Sequence, residues 1–161
     1  MPIFLFFYGS YRKAHGEASG GVVVYDPQGA LITKRSLKLT AQSNNEAEYA
    51  TLEKGLNLCL ELGIRRVRVR GDALLVVKQV LGVWKSKNPR LKNMCFQVKN
   101  LLKHFEAWSL RHVDRSQNEE AHGAAQASIG QLYVIRADSP LYLGREYLER
   151  EEEFLQIGML P

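Results

Sequence analysis

This 161-residue sequence contains only two cysteines and no long apolar run. Its two cysteines, Cys59 and Cys95, lie within apolar helical patterns and have neither the spacing of a metal site nor the number needed for a disulfide framework. No apolar run approaches the roughly 20 residues that span a membrane. The first run, Ile3 to Tyr8, is too short for a signal peptide and follows no basic segment. We therefore expect a globular protein of an intracellular compartment, cytoplasmic or nuclear.

Charge is divided unevenly along the chain. Residues 1–129 contain 19 Lys/Arg and 11 Asp/Glu, a net charge of +8, whereas residues 130–161 contain 3 and 6, a net charge of −3. A basic body is typical of proteins with a polyanionic partner such as nucleic acid, although many other proteins are mildly basic. The division predicts one domain over residues 1–129 and an acidic C-terminal extension over residues 130–161. We expect the extension to pack on the basic body or to bind a protein partner.

The apolar periodicity predicts the element order βββ-α-β-α-α-β-α. The first three strands are separated by short turns and form an antiparallel meander, while the later strands follow helices and should pair in parallel. The predicted strands are Ile3–Tyr8, Gly20–Tyr25, Ala30–Leu39, Arg66–Arg70 and Trp108–Val113, and the helices begin after Asn45, at Asp72, at Pro89 and at Asn118. With right-handed crossovers, this order predicts an α/β fold with a five-stranded mixed sheet, order 3-2-1-4-5, and helices on both faces.

Polar residues cluster where predicted strands give way to helices. The clusters are Ser43–Glu48, Gly71-Asp72 and Asn118–His122, together with Tyr8-Gly9-Ser10 on the first strand. These segments resemble the ribonuclease H superfamily, and most closely the ribonuclease H domain of gypsy-type plant retrotransposon polyproteins. The matching segments, spread over about residues 3–129, are Ser43–Tyr49, Gly71–Gly82, Lys87–Leu91, Arg111–Arg115 and Asn118–Ala121. The resemblance implies a ribonuclease H-like fold and a retrotransposon-derived domain.

In that family, four carboxylates hold two divalent metal ions that promote hydrolysis of RNA in an RNA–DNA hybrid. The resemblance implies that the four positions are Tyr8, Glu48, Asp72 and His122, so that two carboxylates are retained and two are replaced. A neutral phenol is a poor ligand for Mg²⁺, and imidazole prefers softer metals. We therefore expect no tightly bound cofactor, with Glu48 and Asp72 holding Mg²⁺ or Mn²⁺ weakly or not at all.

Each of these residues also has a simpler structural explanation. Asp72 precedes an apolar helical run, where aspartate is a common N-cap, and Asn45 with Glu48 fits a capping box. Tyr8 follows two phenylalanines and fits a core position. Only the joint occurrence of the segments in family order favours the functional interpretation.

The resemblance also implies residues that contact nucleic acid. Ser43, Asn44 and Asn45 align with the segment that reads 2′-hydroxyls and base edges in the wide minor groove. Gly9 and Ser10 match the family at positions where, as the resemblance implies, the nucleic acid must approach the backbone closely.

Two further features complete the predicted site. His112 matches a loop histidine of the family that assists proton transfer or product release, although a lone histidine is more often an ordinary surface residue. Near Trp84, a basic cluster predicts a patch that follows phosphates, with a solvated helix junction as the alternative. The cluster consists of Lys85, Lys87, Arg90 and Lys92.

Three functions remain open at this stage. The first is a catalytically inactive ribonuclease H-like module that binds RNA–DNA hybrid or duplex RNA, which the retained Asn44 and Asn45 favour. The second is an active or residual ribonuclease with altered metal use, which the replaced positions Tyr8 and His122 disfavour. The third is a protein-interaction module in which the acidic extension docks to a partner. We predict the first.

Overall fold

The computed structural model of the chain describes residues 2–127. Over this range the elements are β1 (Ile3–Arg12), β2 (Glu17–Tyr25), β3 (Leu31–Leu39), α1 (Asn44–Glu61), β4 (Arg66–Gly71), α2 (Leu74–Val80), α3 (Pro89–Leu102), β5 (Ala107–His112) and α4 (Glu119–Ala127), with a 3-10 turn at Arg115–Gln117. None of the helices in this range has the length and apolar character of a membrane span. The predicted acidic extension, residues 130–161, lies outside the described residues.

The five strands form one sheet of order 3-2-1-4-5, which confirms the predicted topology. β1 pairs with β2 and β2 with β3 in antiparallel fashion, whereas β1, β4 and β5 run parallel. The parallel pairs end together, because Phe7 lies opposite Gly71 and Gly71 lies opposite His112. The carboxyl ends of the parallel strands therefore meet at one edge of the sheet, beside Tyr8 and Asp72.

The two faces of the sheet are covered by different helices. Leu5 and Phe7 of β1 belong to the core shared with α1, α2 and α3, whereas Phe4 and Phe6 pack on the opposite face with Ala121 of α4. This division follows from the strand geometry, in which successive side chains point to opposite faces. Helices thus cover both faces of the sheet, as predicted. Cys59 and Cys95 are buried and form no disulfide bond.

The first strand does not end at Tyr8 as predicted. β1 continues to Arg12, and Gly9 and Ser10 lie within the strand, opposite Gly20 and Ser19 of β2. The turn follows the strand, and Gly16 adopts a left-handed conformation there with φ of 62°. The strand therefore extends four residues beyond the predicted end at Tyr8.

The helix α2 also begins later than predicted. Its N-cap is Ala73, and no side chain makes a cap hydrogen bond. The capping explanation of Asp72 is therefore wrong, and its carboxylate is left for other contacts. α2 ends at Val80, so Val83 lies beyond the helix and is 61% exposed.

The N-terminus of α1 is capped by Ser43 and not by Asn45. The Ser43 hydroxyl accepts from the Glu46 N–H at 3.1 Å, and the Glu46 carboxylate accepts from the Gln42 N–H at 3.3 Å. These bonds resemble a capping box, except that Glu46 accepts from the N–H of Gln42 and not from that of the N-cap Ser43. The alternative box of Asn45 with Glu48 is wrong, so Glu48 is available to a site.

Glu46 also joins α1 to the start of α3. Its buried carboxylate accepts two hydrogen bonds from the Arg90 guanidinium, at 2.8 and 3.1 Å. Arg90 was predicted to belong to the phosphate-binding patch. The structure shows it in an ion pair with Glu46, and a role in phosphate binding stays a prediction.

We expect Glu46→Gln to lower the melting temperature by a few degrees near neutral pH. The hydrogen bonds from Arg90 hold the pKa of Glu46 below its ordinary value, against the effect of burial. A carboxyl group with a lowered folded pKa stabilises the fold above its ordinary pKa, and this stabilisation is lost as pH falls through the folded pKa. Thermal unfolding of the parent chain should therefore depend more steeply on acid pH than that of the variant.

The control for this experiment is Glu106→Gln, which breaks the exposed ion pair between Glu106 and Arg66. Exposed pairs contribute little, so a smaller change is expected. Identical acid dependence of Glu46→Gln and the parent chain would contradict the prediction.

Candidate functional site

The edge where the parallel strands end brings together all four positions that the resemblance implied. Tyr8 lies just beyond the last pair of β1 with β4, and Asp72 directly follows β4. Glu48 comes from the first turns of α1 and His122 from α4. Each of Tyr8, Glu48 and His122 is close enough to Asp72 for its pKa to respond to that carboxylate.

Gly9 places Glu48 in the site. A side chain at Gly9 would overlap the backbone carbonyl group of Ala47 in α1, so only glycine lets the helix cross the strand so closely. At this crossing the Glu48 carboxylate accepts a hydrogen bond from the Gly9 N–H. Gly9 is buried, and its lack of a side chain lets α1 pack closely against β1.

Glu48 is held in an environment that disfavours its charge. Burial of the carboxyl group raises its pKa to about 8, while the hydrogen bond from Gly9 opposes the shift. The neighbouring Asp72 raises the pKa further, and Arg115 lowers it. Near neutral pH, Glu48 is therefore largely protonated, and the site carries less negative charge than its two carboxyl groups suggest.

Asn118 fixes the position of Asp72. This buried amide donates at 2.8 Å to the Phe7 carbonyl of β1 and at 2.8 Å to a carboxylate oxygen of Asp72. It also begins α4, since its own carbonyl accepts from the His122 N–H at 3.0 Å. The sequence analysis included Asn118 in a matching segment but did not assign it to the site. The sequence feature that could have assigned Asn118 to the site is its position directly before the acidic first turn of a helix.

Arg115 is the second residue that the sequence analysis did not assign to the site. Its Nη2 donates at 2.7 Å to the Tyr8 hydroxyl and lies 3.0 Å from Nε2 of His122. The guanidinium carbon lies 5.1 Å from the centre of the Tyr8 ring. The Tyr8 and His122 rings themselves meet edge to face, with centroids 4.6 Å apart. Arg115 thus lies between Tyr8 and His122.

Two donors, Arg115 and the side-chain amide of Gln126, face Nε2 of His122 and fix the tautomer of that ring. A guanidinium can only donate, so Nε2 of His122 accepts and the ring proton lies on Nδ1. Burial lowers the pKa of His122, and the nearby Arg115 lowers it further. Burial also raises the pKa of Tyr8, against the opposing effect of Arg115. Tyr8 and His122 are therefore both neutral near neutral pH.

The site does not fit a pair of divalent metal ions. Within residues 2–127, no group of three or more His, Cys, Asp or Glu side chains is placed to hold a metal ion. Glu48 and Asp72 supply a charge of at most −2, and Arg115 places a positive charge beside them. Mg²⁺ requires oxygen ligands, and two ions in close proximity require several carboxylates to offset their repulsion. The chemistry of this donor set favours a cationic side chain over a metal pair.

The predicted contacts to nucleic acid lie at the start of α1. The hydroxyl of Ser43 serves as the helix cap. Asn44 is exposed, and its side-chain oxygen accepts from the Tyr11 N–H at 2.8 Å, which ties it to β1 beside the site. Asn45 is half-buried. Ser10 is half-buried, and its side chain lies close enough to Tyr8 to lower the pKa of that phenol, against the larger effect of burial.

The predicted basic patch lies between α2 and α3. Lys85 and Lys87 are both exposed. Lys85 lines an open groove of about 530 Å³ in which the rings of Trp84 and Phe96 are 44% and 61% exposed. The groove also contains Lys92 and Lys99.

His112 was predicted from a loop histidine of the family, but it is the last residue of β5. Its backbone lies opposite Gly71, directly before Asp72. Among residues 2–127, no hydrogen bond joins the His112 ring to the cluster of Tyr8, Arg115 and His122. A role for His112 in proton transfer stays a prediction.

Comparison with known proteins places this geometry in context. The family described as reverse transcriptase-like matches residues 6–128. The chain is 32% identical over 124 residues to ribonuclease HI of Halobacterium salinarum, an alignment that covers 77% of this chain and 62% of the relative. It is 30% identical over 139 residues to the uncharacterized protein YpeP of Bacillus subtilis, covering 82% of this chain and 61% of that protein. The chain therefore spans about three fifths of the length of these curated relatives.

Two solved structures share the fold over nearly their whole length. RNase H1 from Halobacterium salinarum NRC-1 superimposes with a TM-score of 0.77 at 30% identity, covering 80% of this chain and 98% of the other. LC11-RNase H1, solved in complex with an RNA/DNA hybrid, gives a TM-score of 0.70 at 27% identity, covering 80% and 99%. The sheet order, the four positions at its edge and these matches lead to one assignment. The chain belongs to the ribonuclease H-like superfamily, within the reverse transcriptase-like family.

Proposed function

We propose that this protein is a catalytically inactive ribonuclease H-like domain that binds RNA–DNA hybrid or duplex RNA. The observation that carries the proposal is the guanidinium of Arg115, which is bonded to Tyr8 and lies against His122 at the edge of the sheet. In the family, the corresponding positions carry carboxylates, as the resemblance implies. Descent from a gypsy-type plant retrotransposon stays a prediction from the sequence segments.

The charge of the site supports the loss of catalysis. Four carboxylates would give −4, whereas Glu48, Asp72 and Arg115 together give −1, and zero once Glu48 is protonated. A site with this charge attracts divalent cations weakly, because the Coulomb term scales with the charge that it presents. Hydrolysis that depends on two metal ions requires the opposite arrangement.

Retention of nucleic-acid binding is supported by separate features. A relative named ribonuclease HI shares the domain, and LC11-RNase H1 was solved with an RNA/DNA hybrid. In this chain, Asn44 is exposed beside the site, and Lys85 and Lys87 are exposed on the segment between α2 and α3. The basic charge of residues 1–129 suits a polyanion.

The proposal is tested by fluorescence anisotropy of a labelled RNA–DNA hybrid with the full chain at low salt. We expect binding without a sequence preference, with a log–log salt slope of about −0.9 for each neutralised phosphate. Lys85→Glu with Lys87→Glu should weaken binding about tenfold or more, since two favourable contacts become repulsive. The charge-matched control, Lys54→Glu with Lys103→Glu, should weaken it less.

Two results would overturn this function. Failure to bind hybrid, duplex RNA or DNA at low salt would favour a protein-interaction module. Robust Mg²⁺-dependent cleavage of the hybrid by the parent chain, abolished by Asp72→Asn, would show that the site is active.

A further inference from the structure

We propose that Arg115 replaces the metal ions as the cation that binds a backbone phosphate of the nucleic acid at this site, so that binding there needs no metal. The inference rests on the proposed function and names the contact that the site makes. It assigns a binding role to a residue that neither the resemblance nor the family match singles out.

The geometry leaves part of the guanidinium free for a ligand. Arg115 is exposed, and both of its contacts to Tyr8 and His122 are made through Nη2. Within residues 2–127, Nη1 and Nε make no hydrogen bond. These two nitrogens lie on different edges of the guanidinium, so each can donate one hydrogen bond to a phosphate oxygen.

The position of Arg115 is set before any ligand arrives. The Tyr8 hydroxyl and ring hold the guanidinium from β1, and Nε2 of His122 holds it from α4. The carbonyl of Arg115 accepts from the Asn118 N–H at 2.9 Å, and the buried Asn118 side chain is bonded to the Phe7 carbonyl. A side chain that is already ordered loses less conformational entropy on binding, which favours affinity.

The electrostatics of the site also suit an anion. A site with four carboxylates repels a phosphate until cations neutralise it. Here Tyr8 and His122 are neutral, and the positive charge of Arg115 lies between them, while Glu119 adds a negative charge near His122. A phosphodiester can therefore approach the edge of the sheet without a metal ion to screen the protein.

The alternative is that Arg115 only fills and neutralises the site. The two roles differ in what they predict for binding. A structural role predicts that removal of the side chain changes stability and leaves hybrid affinity unchanged. A phosphate-binding role predicts a loss of affinity together with the loss of one ionic contact.

The experiment measures hybrid binding by the full chain after treatment with EDTA, and again with Mg²⁺ at matched ionic strength. We expect the parent chain to bind equally in both conditions. Arg115→Ala should weaken binding about tenfold and reduce the salt slope by about 0.9, the value for one phosphate contact. Arg115→Lys, which keeps the positive charge but not the planar guanidinium, should weaken it less.

The matched control is Arg65→Ala. Arg65 is exposed and precedes β4, at the opposite end of the parallel strands from the site. The Arg65→Ala substitution removes one positive charge without changing the cluster of Tyr8, Arg115 and His122. The salt slope of this variant should therefore equal that of the parent chain. Tyr8→Phe provides a second variant, since it keeps the ring and removes the hydroxyl that positions Arg115. It should weaken binding a few-fold, and thermal unfolding of each variant should show a folded protein.

The outcomes separate this inference from the proposed function. Hybrid binding that is unchanged in Arg115→Ala, or that requires Mg²⁺ in the parent chain, would overturn the role of Arg115 and leave nucleic-acid binding intact. If the parent chain binds no nucleic acid in either condition, the proposed function fails and this inference fails with it.

Discussion

Tyr8→Asp combined with His122→Asp is expected to introduce Mg²⁺-dependent cleavage of the RNA strand of a hybrid, at least about tenfold above the background of the parent chain. The two changes restore carboxylates at the edge of the sheet beside Asp72 and Glu48. They also remove the hydroxyl and the ring nitrogen that now bind Arg115. The parent chain itself should show no cleavage, because its donor set does not fit two ions.

The single changes should not suffice. His122→Asp leaves the Tyr8 hydroxyl and the guanidinium in place, so it should restore little. In the double variant, Arg115 would pair with the new aspartates and compete with metal ions for them. Addition of Arg115→Ala should therefore raise the rate further.

The assay measures release of labelled RNA fragments from a hybrid with Mg²⁺ and, separately, with Mn²⁺. Asp72→Asn in the double variant serves as the control and should abolish the restored cleavage. Cleavage by the parent chain that equals that of the double variant would show that Tyr8 and His122 are not the positions that decide activity. Failure of the triple variant would mean that the groove no longer places the RNA strand at the site.

Glu48→Gln is expected to increase the free energy of unfolding near neutral pH, by an amount on the order of 3 kcal/mol. Burial is the main reason that the pKa of Glu48 is raised to about 8, compared with about 4.3 for an ordinary glutamate. The folded protein then binds the Glu48 proton more tightly than the unfolded chain does. The destabilisation is absent below the ordinary pKa, grows as pH rises from about 4.3 to about 8, and is constant above that.

Glutamine avoids this cost because it has nearly the same shape and no charge. Its side-chain oxygen can still accept from the Gly9 N–H. Denaturant unfolding of both proteins from acid to mildly alkaline pH tests the prediction, and the difference between them should increase with pH. Glu53→Gln, a half-exposed position on the same helix, is the control and should change stability little.

A lower stability for Glu48→Gln than for the parent chain near neutral pH would contradict this account. A buried carboxyl group that destabilises its own fold is typical of a site retained for function, since binding and catalytic residues often reduce stability.

The sequence by itself was sufficient to predict the architecture. The alternation of apolar residues in the strands and the wider spacing in the helices report directly which faces are buried, and the short turns restrict β1, β2 and β3 to a meander. The set of Tyr8, Glu48, Asp72 and His122 came from the resemblance to the ribonuclease H superfamily. The topology adds that parallel strands end on the same side of a sheet, which brings the strand ends of this set together.

The local roles at that edge were decided by tertiary structure. Ser43, and not Asn45, caps α1, and Asp72 is bonded to Asn118 and caps no helix. Several polar residues near a helix start can all satisfy the local pattern, so small differences in the backbone choose among them. Arg90 likewise could not be assigned from sequence, because its partner Glu46 lies 44 positions away.

Arg115 is the clearest example of a role that the sequence could not predict. Its partner Tyr8 is 107 positions distant in the chain, and nothing in the local sequence distinguishes it from the other arginines of a basic domain. Its role arises because β1, the 3-10 turn and α4 converge at the edge of the sheet, where a hydroxyl and a ring nitrogen both accept from one guanidinium. The resemblance implied from the sequence that two carboxylates are replaced at the site, and the fold determined that a cation lies between Tyr8 and His122. The physical reason is that periodicity reports burial along the chain, whereas the neutralisation of a site depends on which side chains the folded chain brings within hydrogen-bonding distance.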